Sequence, residues 1–311
     1  MRLYIDKENL QSLVQSKSDD AFEDCVRLLK QQLDVQYNFP KDEILKDEYV
    51  AFWLNKLGDG VKTIHDYCPP KEVVPSRDNL KSNFYKDFDK TRLSSVYLLN
   101  DNHVCELAAA KGCILIGKVG EETAVLKKLI IEESEVAAVK INDWSTYCPQ
   151  LPLTDIIIND NHYFKDKYVY DKNGNELIKT LASIPNQSPV NVVIIVKEDE
   201  ISPEIDLSAE QSNIKTLIKG LSGSTKSCVT ILTTRKNHDR SLITNYYRIK
   251  HGSSFHLKEN GLKNDVMTEV KSNAYRINEE NTDYLLKQFQ SIADAPVQCI
   301  GDRKSNFLKF T

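Results

Sequence analysis

The sequence predicts an α/β protein in two domains, residues 1–141 and 154–311. Three observations carry that prediction. Short apolar runs alternate with helical patterns in both halves, which is the rhythm of a parallel strand-and-helix layer. Residues 142–153 hold two prolines and no periodicity, which marks a linker. The length of 311 residues suits two ordinary domains.

The elements follow in order. Residues 1–6 read as a strand, Arg-Leu-Tyr-Ile, that ends in Asp6. Helical patterns cover 8–15, 18–32 (with Ser18 or Asp19 as N-cap) and 42–57 (with Trp53 in its apolar face). Residues 66–77 contain three prolines and read as a loop. A strand at 95–99, a helix at 103–111 closed by Gly112, a strand at 113–117 and a helix at 121–133 complete the first half. In the second half, strands are expected at 155–159, 190–196 and 228–233, with helices at 176–184 and 208–221. Ser208 with Gln211 three residues later fits a capping box for the latter. Residues 165–172 read as a solvated hairpin or loop. Two shorter β segments, 241–243 and 246–249, precede a polar stretch and a final helix at 279–292.

Composition bounds the function. Apolar residues make up 41% and charged residues 28%, and the net charge is −4, so a polyanion site has to come from local charge. Seven cysteines without a CxxC pair read as reduced thiols. Charged residues interrupt every apolar stretch near the start, which is unlike a signal peptide. No apolar run reaches the ~18 residues of a membrane span. A cytoplasmic location is expected.

Chemistry concentrates in residues 238–255, HDRSLITNYYRIKHGSSF, or H-x-R-x4-N-x6-G-S-S-F. On a strand, His238 and Arg240 project to the same face, which sets a nucleophile or acid beside a fixed cation. A guanidinium grips phosphate oxygens with a two-pronged fork. A turn at Gly252, Ser253 and Ser254 offers backbone N–H groups and hydroxyls to an anion. From Lys219 to Lys258 there are eight lysines and arginines against one acid, Asp239. His251 and His256 flank the Gly-Ser turn and read as exposed loop residues.

This spacing resembles the phospholipase D superfamily signature, H-x-K-x4-D-x6-G-S-x-N. His238 falls on the histidine, Arg240 on the lysine, Asn245 on the aspartate and Gly252-Ser253 on the Gly-Ser pair. The resemblance covers about half the chain. It implies a phospholipase D-like domain with metal-independent phosphodiesterase or nuclease activity and no cofactor. His238 would be the nucleophile, Arg240 and Ser253 would hold phosphoryl oxygens with Gly252 and Ser254 lining the turn, and Asn245 would orient the imidazole. One motif copy is present where the family uses two, which implies a homodimer. The departures at Arg240, Asn245 and Phe255 keep an alternative open: an inactive module that binds nucleic acid, an anionic membrane or a protein partner.

The first half carries a second resemblance. Tyr4-Ile5-Asp6-Lys7-Glu8-Asn9-Leu10 and residues 95–120 resemble NYN/PIN-like nuclease domains, which implies a Rossmann-like layer. Asp6 and Asp101 match the family's strand-end acids, with Glu8, Glu48 and Asp89 as additions. The resemblance implies Mg²⁺ or Mn²⁺ only if this domain is an active nuclease; otherwise the two acids are strand-end turn residues. Two nuclease-like halves imply a nucleic-acid partner, in a setting such as defence against foreign DNA.

Overall fold

The computed structural model describes residues 2–5, 7–16, 22–31, 34–37, 46–49, 51–52, 55, 66–67, 96–98, 114–116, 120–127, 129, 134–136, 144, 148, 151–173, 175–183, 189–235, 240–255, 268–273 and 276–310. The fold is of the α/β class. The chain divides into two compact units, Met1–Ile131 with Ser272–Glu279, and Glu132–Lys271 with Glu280–Thr311. The stretch at 142–153 therefore lies within the second unit, where Trp144, Cys148, Leu151 and Leu153 are buried.

The first unit holds β1 (Arg2–Ile5), α1 (Lys7–Gln15), α2 (Phe22–Gln31), β2 (Asp34–Tyr37), β3 (Asp66–Tyr67), β4 (Val96–Leu98), β5 (Ile114–Ile116) and α3 (Glu122–Lys127). The five strands among its described residues are ordered β3-β2-β1-β4-β5, and the four pairings between them are parallel. The chain thus builds outward from β1 to one side and then crosses to the other. Leu3 and Ile5 of β1 are buried, as are Leu10, Leu13 and Val14 of α1 and Cys25, Leu28 and Leu29 of α2. Glu122, at the start of α3, is fully buried. It accepts hydrogen bonds from Asn9 Nδ2 at 2.7 Å, Ser12 Oγ at 3.1 Å and the Gly120 N–H at 2.9 Å, which removes the cost of an unpaired buried carboxylate. The expected loop at 66–77 begins with strand β3. The expected helix at 103–111 and the caps at Ser18 and Asp19 lie outside the described residues.

The second unit holds β6 (Ser134–Val136), β7 (Asp155–Asn159), α4 (Lys167–Asn173), α5 (Glu176–Ala182), β8 (Asn191–Lys197), α6 (Leu207–Ser222), β9 (Cys228–Thr234), β10 (Ser241–Thr244), β11 (Tyr247–His251), β12 (Thr268–Ser272), α7 (Arg276–Asp294, belonging here from Glu280) and β13 (Gln298–Gly301). The eight strands among its described residues run in the order β13-β9-β8-β7-β10-β11-β12-β6. The centre, β7-β8-β9, is parallel. β10 joins β7 antiparallel, and β11 folds back antiparallel on β10. β13 closes the β9 edge antiparallel. The apolar runs of β7 and β8 are buried along their length because they are central strands with both faces covered.

Two local expectations are corrected. Residues 165–172 are not a hairpin or loop, for α4 spans Lys167–Asn173. Lys167 Nζ meets Asp171 one turn on at 2.9 Å, and Tyr170 is buried against Tyr163 and Phe164. The N-cap of α6 is Asp206, whose carboxylate accepts from the Ser208 and Ala209 N–H groups. Gln211 therefore makes no capping box with Ser208. Its Nε2 donates instead to the Val229 carbonyl of β9 at 3.0 Å. Among the described residues no helix is long and apolar enough to cross a membrane.

Candidate functional site

Pairing register brings three distant pieces of chain to one end of the second sheet. Asp160 follows the last residue of β7. In the β7–β10 pair, Ser241 lies opposite Asn159, so Arg240, just before β10, arrives at the Asp160 end. In the β10–β11 pair, Lys250 lies opposite Ser241, so chain leaving β11 through His251 enters the Gly252–Phe255 turn at the same end.

Asp160 is the hub. It is fully buried, and its backbone N–H donates to the Ile195 carbonyl of β8 at 3.0 Å, fixing the bend after β7. Its Oδ2 accepts from Ser254 Oγ at 2.6 Å and from the Phe255 N–H at 2.8 Å. Its Oδ1 accepts from the His162 N–H at 3.0 Å and lies 3.8 Å from Arg240 Nε. Arg240 also donates through a terminal nitrogen to the Gly252 carbonyl at 3.1 Å. The Arg240 side chain is a quarter exposed. One carboxylate and one guanidinium therefore hold both ends of the turn. Among the described residues Ser253, half-buried at its centre, has no hydrogen-bond partner.

Below the turn, His251 packs with Trp144 and Phe255, the three rings 5.7–5.8 Å apart. His251 was expected as an exposed loop residue, but it closes β11 and is 4% exposed. Its Nδ1 lies 2.8 Å from Thr268 Oγ1 of β12. Burial pushes its pKa down to about 4 against an opposing pull from Asp160, and Arg240 adds to the lowering. The imidazole is neutral at pH 7. His256 lies outside the described residues.

No family model matches the chain, and no curated protein matches it.

Of the residues singled out in the sequence, the structure gathers Arg240, Gly252, Ser253 and Ser254. Asn245 is not among them. It sits in the turn after β10, a strand length of about 16 Å from Arg240 at ~3.3 Å per residue. Its Oδ1 accepts from the Thr154 N–H and its Nδ2 donates to the Pro152 carbonyl, both at 3.2 Å. These bonds tie the β10–β11 turn to the chain entering β7. His238 lies outside the described residues, two positions before Arg240. Asp6, Asp101 and Asp89 also lie outside them, and Glu8 and Glu48 are exposed. Among the described residues no cluster of three His, Cys, Asp or Glu side chains is placed to hold a metal ion.

Sequence reasoning missed Asp160. The signal was present, since an acid directly after a strand with an apolar Ile156–Ile158 centre, Asp155–Asn159, faces the end of whichever strand pairs beside it. The local positive charge is also partly answered. Arg235 pairs with Glu198 at 3.0 Å, Arg240 with Asp160, and buried Arg248 with Glu269 at 3.7 Å. Lys219, Lys226 and Lys250 are exposed.

Proposed function

We propose that the chain is a phosphodiesterase or nuclease of the phospholipase D-like superfamily, with a Rossmann-like first domain and a phospholipase D-like second domain. The observation that carries this reading is the convergence of Arg240, two residues after His238 in sequence, with the Gly252–Ser254 turn twelve residues on. A cation, backbone N–H groups and a serine hydroxyl with no partner among the described residues lie at one sheet end, the donor set of a receptor for a phosphate group.

In the proposed reaction an imidazole nitrogen of His238 attacks phosphorus. The bond from phosphorus to the leaving oxygen breaks, and the partner subunit's His238 protonates that oxygen. Water, losing its proton to the partner subunit's His238, then displaces the phosphoryl group from the first histidine. Arg240 and Ser253 hold the non-bridging oxygens throughout. The active form is a homodimer, the substrate a nucleic acid, and the setting defence against foreign DNA. The alternative with the same scaffold is an inactive module that binds nucleic acid, an anionic membrane or a protein.

A different reading places metal-dependent cleavage in the first domain. The strand order β3-β2-β1-β4-β5 favours it, because parallel sheets bind ligands beyond the strand ends where the order reverses, here between β1 and β4. Asp6 and Asp101 follow those two strands in sequence.

The test is cleavage of single- and double-stranded DNA and RNA by purified protein in EDTA, with His238→Ala alongside. Cleavage in EDTA that disappears in the variant supports the leading reading. Cleavage that needs Mg²⁺ or Mn²⁺, survives His238→Ala and is lost in Asp6→Asn moves the chemistry to the first domain. No cleavage in any condition, with salt-sensitive polyanion binding, supports the binding module.

A further inference from the structure

We propose that Asp160 is the positioning residue of the phosphate-binding turn, and that it divides the two adjacent serines into a structural Ser254 and an anion-binding Ser253. The inference rests on the phosphate-site reading above. A hydroxyl has one proton to donate. That of Ser254 goes to Asp160 at 2.6 Å, so what Ser254 presents elsewhere is lone pairs, which repel a phosphate oxygen. Asp160 also takes the Phe255 N–H at 2.8 Å and stands 3.8 Å from Arg240. A buried carboxylate at the end of a central strand thus fixes both the backbone after the turn and the cation before it. Ser253 is the hydroxyl left over, half-buried, with its proton uncommitted among the described residues. Two neighbouring serines of the same type therefore have different work, decided by the strand register that sets Asp160 beneath one of them.

The experiment uses the full chain with two readouts. One is the affinity for inorganic phosphate by titration calorimetry. The other is hydrogen exchange in a peptide spanning the Gly252–Phe255 turn. Ser253→Ala is expected to weaken phosphate binding about tenfold, as loss of one hydrogen bond to a charged group does, with exchange of the turn unchanged. Ser254→Ala and Asp160→Asn are expected to speed exchange of the turn at least about tenfold, and Ser254→Thr, which keeps the hydroxyl, restores protection. Should Asp160→Asn fail to fold, Ser254→Ala tests the same latch with the carboxylate intact. Unchanged exchange in Ser254→Ala overturns the positioning role. Phosphate binding weakened equally by both serine variants, with the turn still protected in Ser254→Ala, overturns the division of labour. Wild-type protein that keeps the turn protected yet binds no phosphate overturns the phosphate reading and with it the serine assignment, while leaving the Asp160 latch standing.

Discussion

Gly301 ends β13 with φ +103°, a backbone conformation that side chains rarely adopt. A methyl group added there would sit 2.2 Å from the Val229 carbonyl oxygen, 2.8 Å from Gln211 Nε2 and 2.9 Å from Gln211 Cγ. The carbonyl is backbone in a central region of the sheet and cannot swing aside. It already accepts from Gln211 Nε2 and from the Asp302 N–H, both at 3.0 Å. Gly301→Ala must therefore displace β13 from β9 by roughly an ångström and break one or both bonds. Strained backbone, overpacking and a lost buried hydrogen bond together cost about 3–6 kcal/mol. Gly223 is the internal control. It caps α6 with φ +66°, but nothing lies within 4 Å of an added Cβ. Gly223→Ala meets the left-handed backbone penalty alone, about 1–2 kcal/mol. The assay is urea denaturation followed by tryptophan fluorescence in a Trp53→Phe background, so that Trp144, buried in the second unit, alone reports. If Gly301→Ala costs no more than Gly223→Ala, the junction of α6, β9 and β13 is not as tight as argued and the reasoning fails.

Three further outcomes follow. Asp155 is buried, and burial raises its pKa to about 6 against hydrogen bonds from Asn306, Ser305 and Asn191; its contribution to stability is full below pH 3.8 and falls by about 3 kcal/mol as pH rises through 6. His251 has the opposite sign: its lowered pKa gives stability that is full above pH 6.5 and lost as pH falls through about 4, again about 3 kcal/mol. The two slopes largely cancel in the native chain between pH 4 and 6, so Asp155→Asn should show stability rising steeply with pH there and His251→Gln stability falling; parallel profiles in all three proteins would contradict the assignment. Asn245→Ala should cost about 2–3 kcal/mol in the same denaturation assay, through the stranded Thr154 N–H and Pro152 carbonyl, and a neutral result would show that this tie is idle.

What was legible in the sequence depended on burial. β7, β8 and β9 announce themselves as DIIIN, NVVIIVK and CVTILTT because central parallel strands must be apolar on both faces. β2, β6, β12 and β13 read DVQY, SEV, TEVKS and QCIG. Short and mixed in polarity, they are strands because a neighbour offers them a hydrogen-bonding edge, and no local pattern encodes that. The cap of α6 was misplaced for a related reason: Asp206 and Ser208 are both good caps, and the choice follows from Gln211 being drawn to β9. At the site, the turn residues and Arg240 were legible from spacing. Asp160 was not, because its role exists only once β10 has slotted beside β7.

That insertion has a consequence for time as well as geometry. β10 has a strand on each side, one of them 82–88 residues earlier in the chain. Such distant pairing is slow to form, because the intervening loop has to close before any bond rewards it. During synthesis, β7, β8 and β9 can zip together in order as they emerge, while the slot beside β7 stays empty until residues 241–251 arrive. The end of the sheet that carries Arg240 and the Gly252–Ser254 turn is therefore assembled late, onto a scaffold already in place. Once seated, it is locked from both flanks, and releasing Arg240 from Asp160 by unfolding would mean tearing two ladders rather than peeling an edge.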